Sequence, residues 1–172
     1  GGLATDPADP GLNSVLKTAA RLSIPVNLHI SGRLDQGIAL IRRHPDTAII
    51  VDHLGLVQPM HPPVPAEPWA ELEQVMTLAA MPNVAMKITG ACTLAREPYL
   101  YRDIWDPVCR LIDAFGIDRS LWGTDWTRAI AFLDYKQGVD CFLESERFSA
   151  NDKAELMGGT LRRIYGWAPT AA

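Results

Sequence analysis

The stretch Ala48-Ile-Ile-Val-Asp-His53 is a short run of β-branched residues that ends in two titratable side chains. A run of this composition is typical of a strand buried on both faces of a parallel sheet. Two similar runs flank it, Ile24-Pro-Val-Asn-Leu-His29 and Leu121-Trp-Gly-Thr-Asp-Trp126. Each run carries at its end a residue that can bind a metal or transfer a proton: His29, His53 and Asp125. In (β/α) barrels such residues gather at the C-terminal ends of the strands.

Helical patterns alternate with the strand patterns along the whole chain. The sequence predicts strands at 24–30, 47–53, 84–90 and 119–125, and helices at 12–22, 34–44, 68–81, 104–115, 130–145 and 149–158. The strand spacing brackets the roughly 31 residues per unit of an eight-unit barrel. We therefore expect an α/β fold, a partial (β/α)8 TIM barrel. A four-stranded doubly wound sheet is the alternative, but no glycine-rich phosphate loop follows any strand.

Composition excludes several classes of protein. The chain has 172 residues and a net charge of −4 without a cluster of Lys and Arg, so we expect no nucleic-acid partner. Its apolar runs are strand-sized, so we expect no membrane span, and no signal peptide is visible. The three cysteines, Cys92, Cys109 and Cys141, match no zinc or redox motif. Reduced thiols in a cytoplasmic protein are the simplest interpretation.

Strand alternation gives a first orientation of the polar residues. It places Ile49, Val51 and His53 on one face of their strand, so we expect His53 to point into the barrel, as His29 would. Histidine is a frequent metal ligand and general base. Asp52 would face away from His53 and serve to position neighbouring groups or to hold a loop.

Three other features are candidates for structural or substrate-binding roles. The proline-rich segment 54–68 predicts either a lid or a rigid surface excursion, with His61 and Trp69 as candidate substrate contacts. Arg128 either binds a substrate carboxylate or is solvated. Lys87, in an apolar strand, requires a carboxylate partner, and we expect a structural ion pair.

Three strings together resemble the amidohydrolase-related family of TIM-barrel hydrolases. They are Val51-Asp-His-Leu-Gly55, Met86-Lys-Ile-Thr-Gly90 and Leu121-Trp-Gly-Thr-Asp-Trp126. The resemblance extends from about residue 12 to 167 and is strongest to the lactonase branch, which includes pyrone-dicarboxylate hydrolase. It implies that the four strands are strands 5 to 8 of the barrel.

The resemblance also implies roles for individual residues. Asp125 would be the eighth-strand aspartate, a general base or metal ligand, while His53 and His29 would follow strands six and five. The family's His-x-His pair of strand one has no counterpart here, so we expect residues 1–172 to be the C-terminal part of one domain, inactive alone. The string Asp125-Trp-Thr-Arg128 also departs from the Asp-Trp-Pro of the lactonase branch.

The function implied by this resemblance is hydrolysis of a lactone or similar cyclic ester. Asp125 would deprotonate the attacking water, and His53 and His29 would polarise the carbonyl, directly or through a divalent metal. Zinc or manganese would suit the ligand set His29, His53 and Asp125, although some relatives work without metal. We expect a small lactone or carboxylated substrate and self-association of the chain. The alternatives are a metal-dependent decarboxylase on the same scaffold and a catalytically incomplete fragment.

Overall fold

A four-stranded parallel sheet forms the centre of the protein, for which the computed structural model describes residues 6–167. The strands are β1 (Val26–Leu28), β2 (Ile49–Val51), β3 (Val84–Thr89) and β4 (Ser120–Gly123). They lie in the order β1-β2-β3-β4, and each pairs in parallel with the next. Strands that are neighbours in sequence are thus neighbours in the sheet, as the prediction of four consecutive barrel units requires. β1 and β4 form its two edges.

Eight α-helices are distributed along the described residues. They are α1 (Pro10–Arg21), α2 (Leu34–Arg42), α3 (Leu72–Met76), α4 (Trp105–Phe115), α5 (Trp126–Ala129), α6 (Tyr135–Leu143), α7 (Ala150–Ala154) and α8 (Thr160–Tyr165). The prediction of one helix over 130–145 is wrong, because Asp134 caps a new helix there and forms a capping box with Gln137. The helix predicted from residue 149 begins with a capping box formed by Ser149 and Asp152.

The main hydrophobic core lies between the sheet and the helices. Ile49, Val51 and Met86 are almost completely buried in this core, together with side chains of α2, α3 and α4. The expectation that Ile49 and Val51 share the inward face with His53 is therefore wrong. β2 ends at Val51, so strand alternation no longer applies at residue 53.

A second, smaller core lies on the opposite face of the sheet. Ile50, Ala85 and Leu121 point there and pack against Leu161, Ile164 and Tyr165 of α8. The Tyr165 hydroxyl also donates a 2.7 Å hydrogen bond to the side-chain oxygen of Asn27 in β1. α8 therefore covers the apolar part of the inward face of this half-barrel.

Two expectations from composition can be compared with the fold. In the part of the chain from 6 to 167, no helix is long and apolar enough to cross a lipid bilayer. Cys92, Cys109 and Cys141 are free thiols, as predicted. Cys109 lies in α4 and Cys141 in α6, so these two side chains belong to the helical layer.

Candidate active site

Three titratable side chains meet just beyond the C-terminal ends of β1, β2 and β4. The rings of His29 and His53 pack edge to face, with centroids 5.4 Å apart and an interplanar angle of 80°. Nδ1 of His53 lies 3.4 Å from Oδ2 of Asp125. The structure therefore brings together the three residues that the sequence identified at separate strand ends. His29 is exposed, whereas the Asp125 side chain is only 13% exposed.

The backbone turns sharply at both His53 and Asp125. Their φ angles are 54° and 53°, in the left-handed region. Non-glycine residues rarely adopt this conformation, which the surrounding structure must stabilise. At His53 the backbone N–H donates a 3.1 Å hydrogen bond to the hydroxyl of Thr89, the last residue of β3. These turns, rather than strand alternation, direct the two side chains to the rim.

Burial dominates the electrostatics of His53. It lowers the pKa of the imidazole below 6.5, while the carboxylates of Asp125 and Asp52 raise it and the charges of His29 and Arg128 lower it. Burial disfavours the charged form of a histidine. His53 is therefore mainly uncharged at neutral pH, and its Nδ1 faces a carboxylate.

Arg128 is buried next to Asp125 and is not solvated. Its side chain is 7% exposed, and Nε donates a 2.7 Å hydrogen bond to Oδ2 of Asp125. Nη1 donates to the carbonyl oxygen of Pro59 at 2.8 Å, and Nη2 bonds the side-chain oxygen of Gln58. Three of its five N–H groups are therefore engaged by the protein. Its role in substrate binding stays a prediction.

Asp52 and Lys87 form the ion pair expected for the lysine in β3. Lys87 Nζ lies 3.0 Å from Oδ1 of Asp52, and the two side chains are 25% and 21% exposed. An ammonium group in an apolar strand is stabilised by such a partner. The pair fixes the direction of Asp52, the residue immediately before His53, and so supports the turn at the rim.

The proline-rich segment follows His53 and contains no helix or strand from residue 56 to 67. His61 is exposed on it, whereas Trp69 packs against the main core just after it. Besides the bonds from Arg128, Nη1 of Arg96 donates to the carbonyl oxygen of Ala66 at 3.2 Å. The segment is thus attached near both ends. Substrate contacts of His61 and Trp69 stay predictions.

Sequence reasoning missed Gln58 and Thr89 as parts of this site. Nε2 of Gln58 donates to the carbonyl oxygens of His53 and Thr89, at 3.1 and 3.0 Å. Gln58 lies in a segment without periodicity, so no pattern singles it out. Thr89 had a weak signal, since it stands at the C-terminal end of a strand, where the other site residues also stand.

The side-chain types of His29, His53 and Asp125 suit a metal ion better than their arrangement does. Two imidazoles and a carboxylate are a typical zinc set. Yet among residues 6–167 no three His, Cys, Asp or Glu side chains are grouped so as to hold a metal ion. In addition, Oδ2 of Asp125 already accepts a hydrogen bond from the Arg128 guanidinium. The described residues therefore do not by themselves fit a metal, and the ligand set stays a prediction.

Comparison with known proteins agrees with this architecture. The sequence model of the amidohydrolase family matches residues 3–167. An L-fucono-1,5-lactonase from Burkholderia ambifaria is 33% identical over 138 residues, which are 74% of this chain and 44% of that enzyme. A 4-sulfomuconolactone hydrolase from Hydrogenophaga intermedia is 26% identical over 123 residues, 72% of this chain and 39% of that enzyme. The chain thus covers less than half the length of either curated relative.

A solved structure extends the comparison to the fold. An amidohydrolase from Burkholderia multivorans, crystallised with bound zinc, superposes with a TM-score of 0.78 at 24% identity. The superposition covers 94% of this chain and 59% of that protein. The four βα units described above therefore have the fold of a large part of an amidohydrolase barrel.

Proposed function

Because this chain belongs to the amidohydrolase family, we propose that it forms the C-terminal half of a TIM-barrel active site that opens a lactone or similar cyclic ester. The observation that carries the proposal is the arrangement of Asp125 beside His53 at the rim of the sheet. Both relatives compared above are named for lactone hydrolysis, which supports the substrate class. The strand-one part of the site would come from a segment N-terminal to these four units.

Asp125 is the proposed general base. Its Oδ2 is held by Arg128 and faces Nδ1 of His53. Within the described residues, no hydrogen bond from the protein reaches Oδ1 of Asp125. One carboxylate oxygen thus fixes the group while the other can accept a proton from water.

His53 orients the water that Asp125 deprotonates. In this proposal the uncharged imidazole carries its proton on Nδ1, which lies 3.4 Å from both Oδ2 of Asp125 and Oγ1 of Thr89, so that Nε2 presents a lone pair as an acceptor. A water that donates one hydrogen to this Nε2 and the other to Oδ1 of Asp125 has an oxygen lone pair free to attack a carbonyl carbon. His29, exposed beside His53, is the proposed N–H donor to the carbonyl oxygen as negative charge develops there.

The reaction then balances without a further reactant. The water oxygen forms a bond to the carbonyl carbon as Asp125 takes its proton. The ring ester C–O bond breaks, and Asp125 returns the proton to the departing alkoxide oxygen, which gives a hydroxy acid. Each of these steps uses only side chains of this chain.

The test uses the full-length gene product and a panel of sugar 1,5-lactones, muconolactones and pyrones, with acid release as the signal. We expect turnover of at least one class and a loss of about 1,000-fold in Asp125→Asn, since a general base contributes on the order of 10²–10⁴-fold. Asp113→Asn, an exposed carboxylate on α4, is the matched control and should be normal. Near-normal turnover in Asp125→Asn would contradict the assignment. CO2 release from aromatic acids without lactone hydrolysis would favour the decarboxylase alternative.

A further inference from the structure

Arg128 is a buried cation at a rim where the proposed mechanism needs no cation. It stands in α5, three residues after Asp125, and its guanidinium reaches back over the end of the sheet. Burying a charged group is costly unless it is paired and its hydrogen bonds are satisfied. Here the Asp125 carboxylate pairs the charge, and Gln58 and the Pro59 carbonyl take two further N–H groups. The arginine side chain is thus part of the buried structure and does not extend into solvent.

Gln58 extends this cluster to the other strand ends. Its side-chain oxygen accepts from Arg128, and its amide nitrogen donates to the carbonyl oxygens of His53 and Thr89. The loop after β2, the end of β3 and the loop after β4 are therefore joined through one arginine–glutamine pair. Arg128 and Gln58 are 70 residues apart in sequence, so only the folded chain forms this connection.

Gly90 makes room for the pair. Its φ is 73°, and a Cβ at this position would overlap both Nη2 of Arg128 and the side-chain oxygen of Gln58. Glycine meets two requirements at this position: it tolerates a positive φ, and it leaves space for the side chains of Arg128 and Gln58. The backbone after β3 is thus shaped around the arginine and the glutamine.

We propose that Arg128 is a positioning residue that latches the proline-rich segment onto Asp125, rather than a ligand of the substrate. Its guanidinium holds one oxygen of the base and, with the other two N–H donors, fixes residues 58 and 59 above the rim. The effect on turnover rests on the proposed hydrolysis; the latch itself does not. A substrate carboxylate could gain the same N–H groups only by displacing Gln58 or the Pro59 carbonyl, which would leave their oxygens unpaired.

The planar, forked shape of the guanidinium explains why residue 128 is an arginine. The three bonds leave from Nε, Nη1 and Nη2 towards three separate acceptors. A lysine ammonium presents its donors from a single point and cannot reach all three in the same geometry. We therefore expect Arg128→Lys to keep the charge beside Asp125 but to release the segment.

The latch is tested first by hydrogen exchange at the amides of Gly55 and Leu56 in the full-length protein, which donate to the carbonyl oxygens of Asp52 and His53 at the start of the segment. Arg128→Met, Arg128→Lys and Gln58→Met should each speed exchange there about tenfold, the effect of losing hydrogen bonds to a charged group. Arg96→Met is the matched control, because exposed Arg96 donates one bond to Ala66 of the same segment but does not contact Asp125. Exchange of Gly55 and Leu56 should be unchanged in this variant. Unchanged exchange in all three latch variants overturns the proposal.

Kinetics then separate the latch from a substrate ligand. As a positioning residue, Arg128→Met should lower kcat about 100-fold, the scale of a misplaced catalytic group, with KM little changed. Gln58→Met should change kcat in the same direction, and the double variant should be no worse than the worse single variant. A KM increase confined to carboxylated lactones, with normal exchange and no effect of Gln58→Met, would identify a substrate ligand instead. If the wild type hydrolyses no lactone, the proposed function fails, while the exchange data still decide on the latch.

If Arg128→Met does not fold, Gln58→Met and Arg128→Lys provide the same test. Gln58→Met removes the acceptor of one guanidinium N–H and the amide that bonds the His53 and Thr89 carbonyls, with the arginine intact. Faster exchange in the segment with a lower kcat supports the latch. Normal exchange in both of these folded variants contradicts it.

Discussion

Nδ1 of His53 lies 3.4 Å from Oδ2 of Asp125, and both residues reach this position from a backbone in the left-handed conformation. The contact joins the ends of two strands that are separated in the sheet by β3. Its consequence depends on the charge of the imidazole. Because burial lowers the pKa of His53, the contact joins a carboxylate to a neutral ring at neutral pH.

This relationship predicts the acid limb of the pH–rate profile. Water orientation needs neutral His53, which predominates above its pKa, so kcat/KM should fall as the pH drops through that pKa. Since burial places the pKa below 6.5, the limb should lie below the ordinary histidine range. Arg128→Met removes a charge that lowers this pKa and should move the limb upward. An NMR titration, with the His53 signal assigned from its absence in His53→Gln, checks the origin. A wild-type limb above 6.5 would contradict the prediction.

Gly90→Ala should damage the site without replacing any of its polar side chains. The new Cβ meets Arg128 and Gln58 and also forces alanine to a φ of 73°. We expect at least about 1 kcal/mol of lost stability from the backbone conformation and a reduced kcat from displacement of the arginine. Chemical denaturation and turnover measure the two effects. Gly166→Ala, at a φ of 60° after α8 and with open space around the new Cβ, carries the backbone strain without the contact with Arg128. Equal kcat values for the two variants would exclude a specific role for Gly90.

The sheet and the three candidate site residues at its end were predictable because their signals are local. Runs such as Ile49–Val51 have the composition of buried strands, and His29, His53 and Asp125 follow such runs directly. The orientation of His53 was not predictable from alternation, because β2 is only three residues long and the chain turns after it. A local pattern carries no information about a bond between residues such as Gln58 and Arg128.

Metal content tests the ligand set that the resemblance implies. If His29, His53 and Asp125 are ligands, the full-length protein should retain about one zinc or manganese ion per chain, since catalytic sites of this type use three protein ligands. Elemental analysis should then show loss of the metal in His29→Ala and Asp125→Asn. His61→Ala is the control, because His61 is exposed on the proline-rich segment. A metal-free wild type with chelator-resistant turnover would refute the ligand set.

Produced alone, these 172 residues should associate and show no lactonase activity. β1 and β4 leave unpaired edges in the described sheet, and parallel edge strands are templates for pairing with another chain. We expect sedimentation velocity to show dimers or larger species whose population rises with concentration. Because α8 covers Ile50, Ala85 and Leu121, binding of an apolar dye should be moderate. It should increase in Leu161→Ser, which weakens this cover.

A chain that α8 stabilises as a monomer would contradict the predicted self-association. The contact of Tyr165 with Asn27 ties α8 to the edge strand β1, and α8 also packs on Leu121 of β4. If α8 alone were sufficient to stabilise the open sheet, the chain would sediment as an 18.9 kDa monomer and unfold in one sharp transition. Such a monomer with measurable lactone turnover would show that the four units form a complete enzyme. Tyr165→Phe removes only the hydroxyl and distinguishes the two cases. It should lower the unfolding temperature of a stable monomer, but it should barely change the unfolding temperature of a self-associated chain.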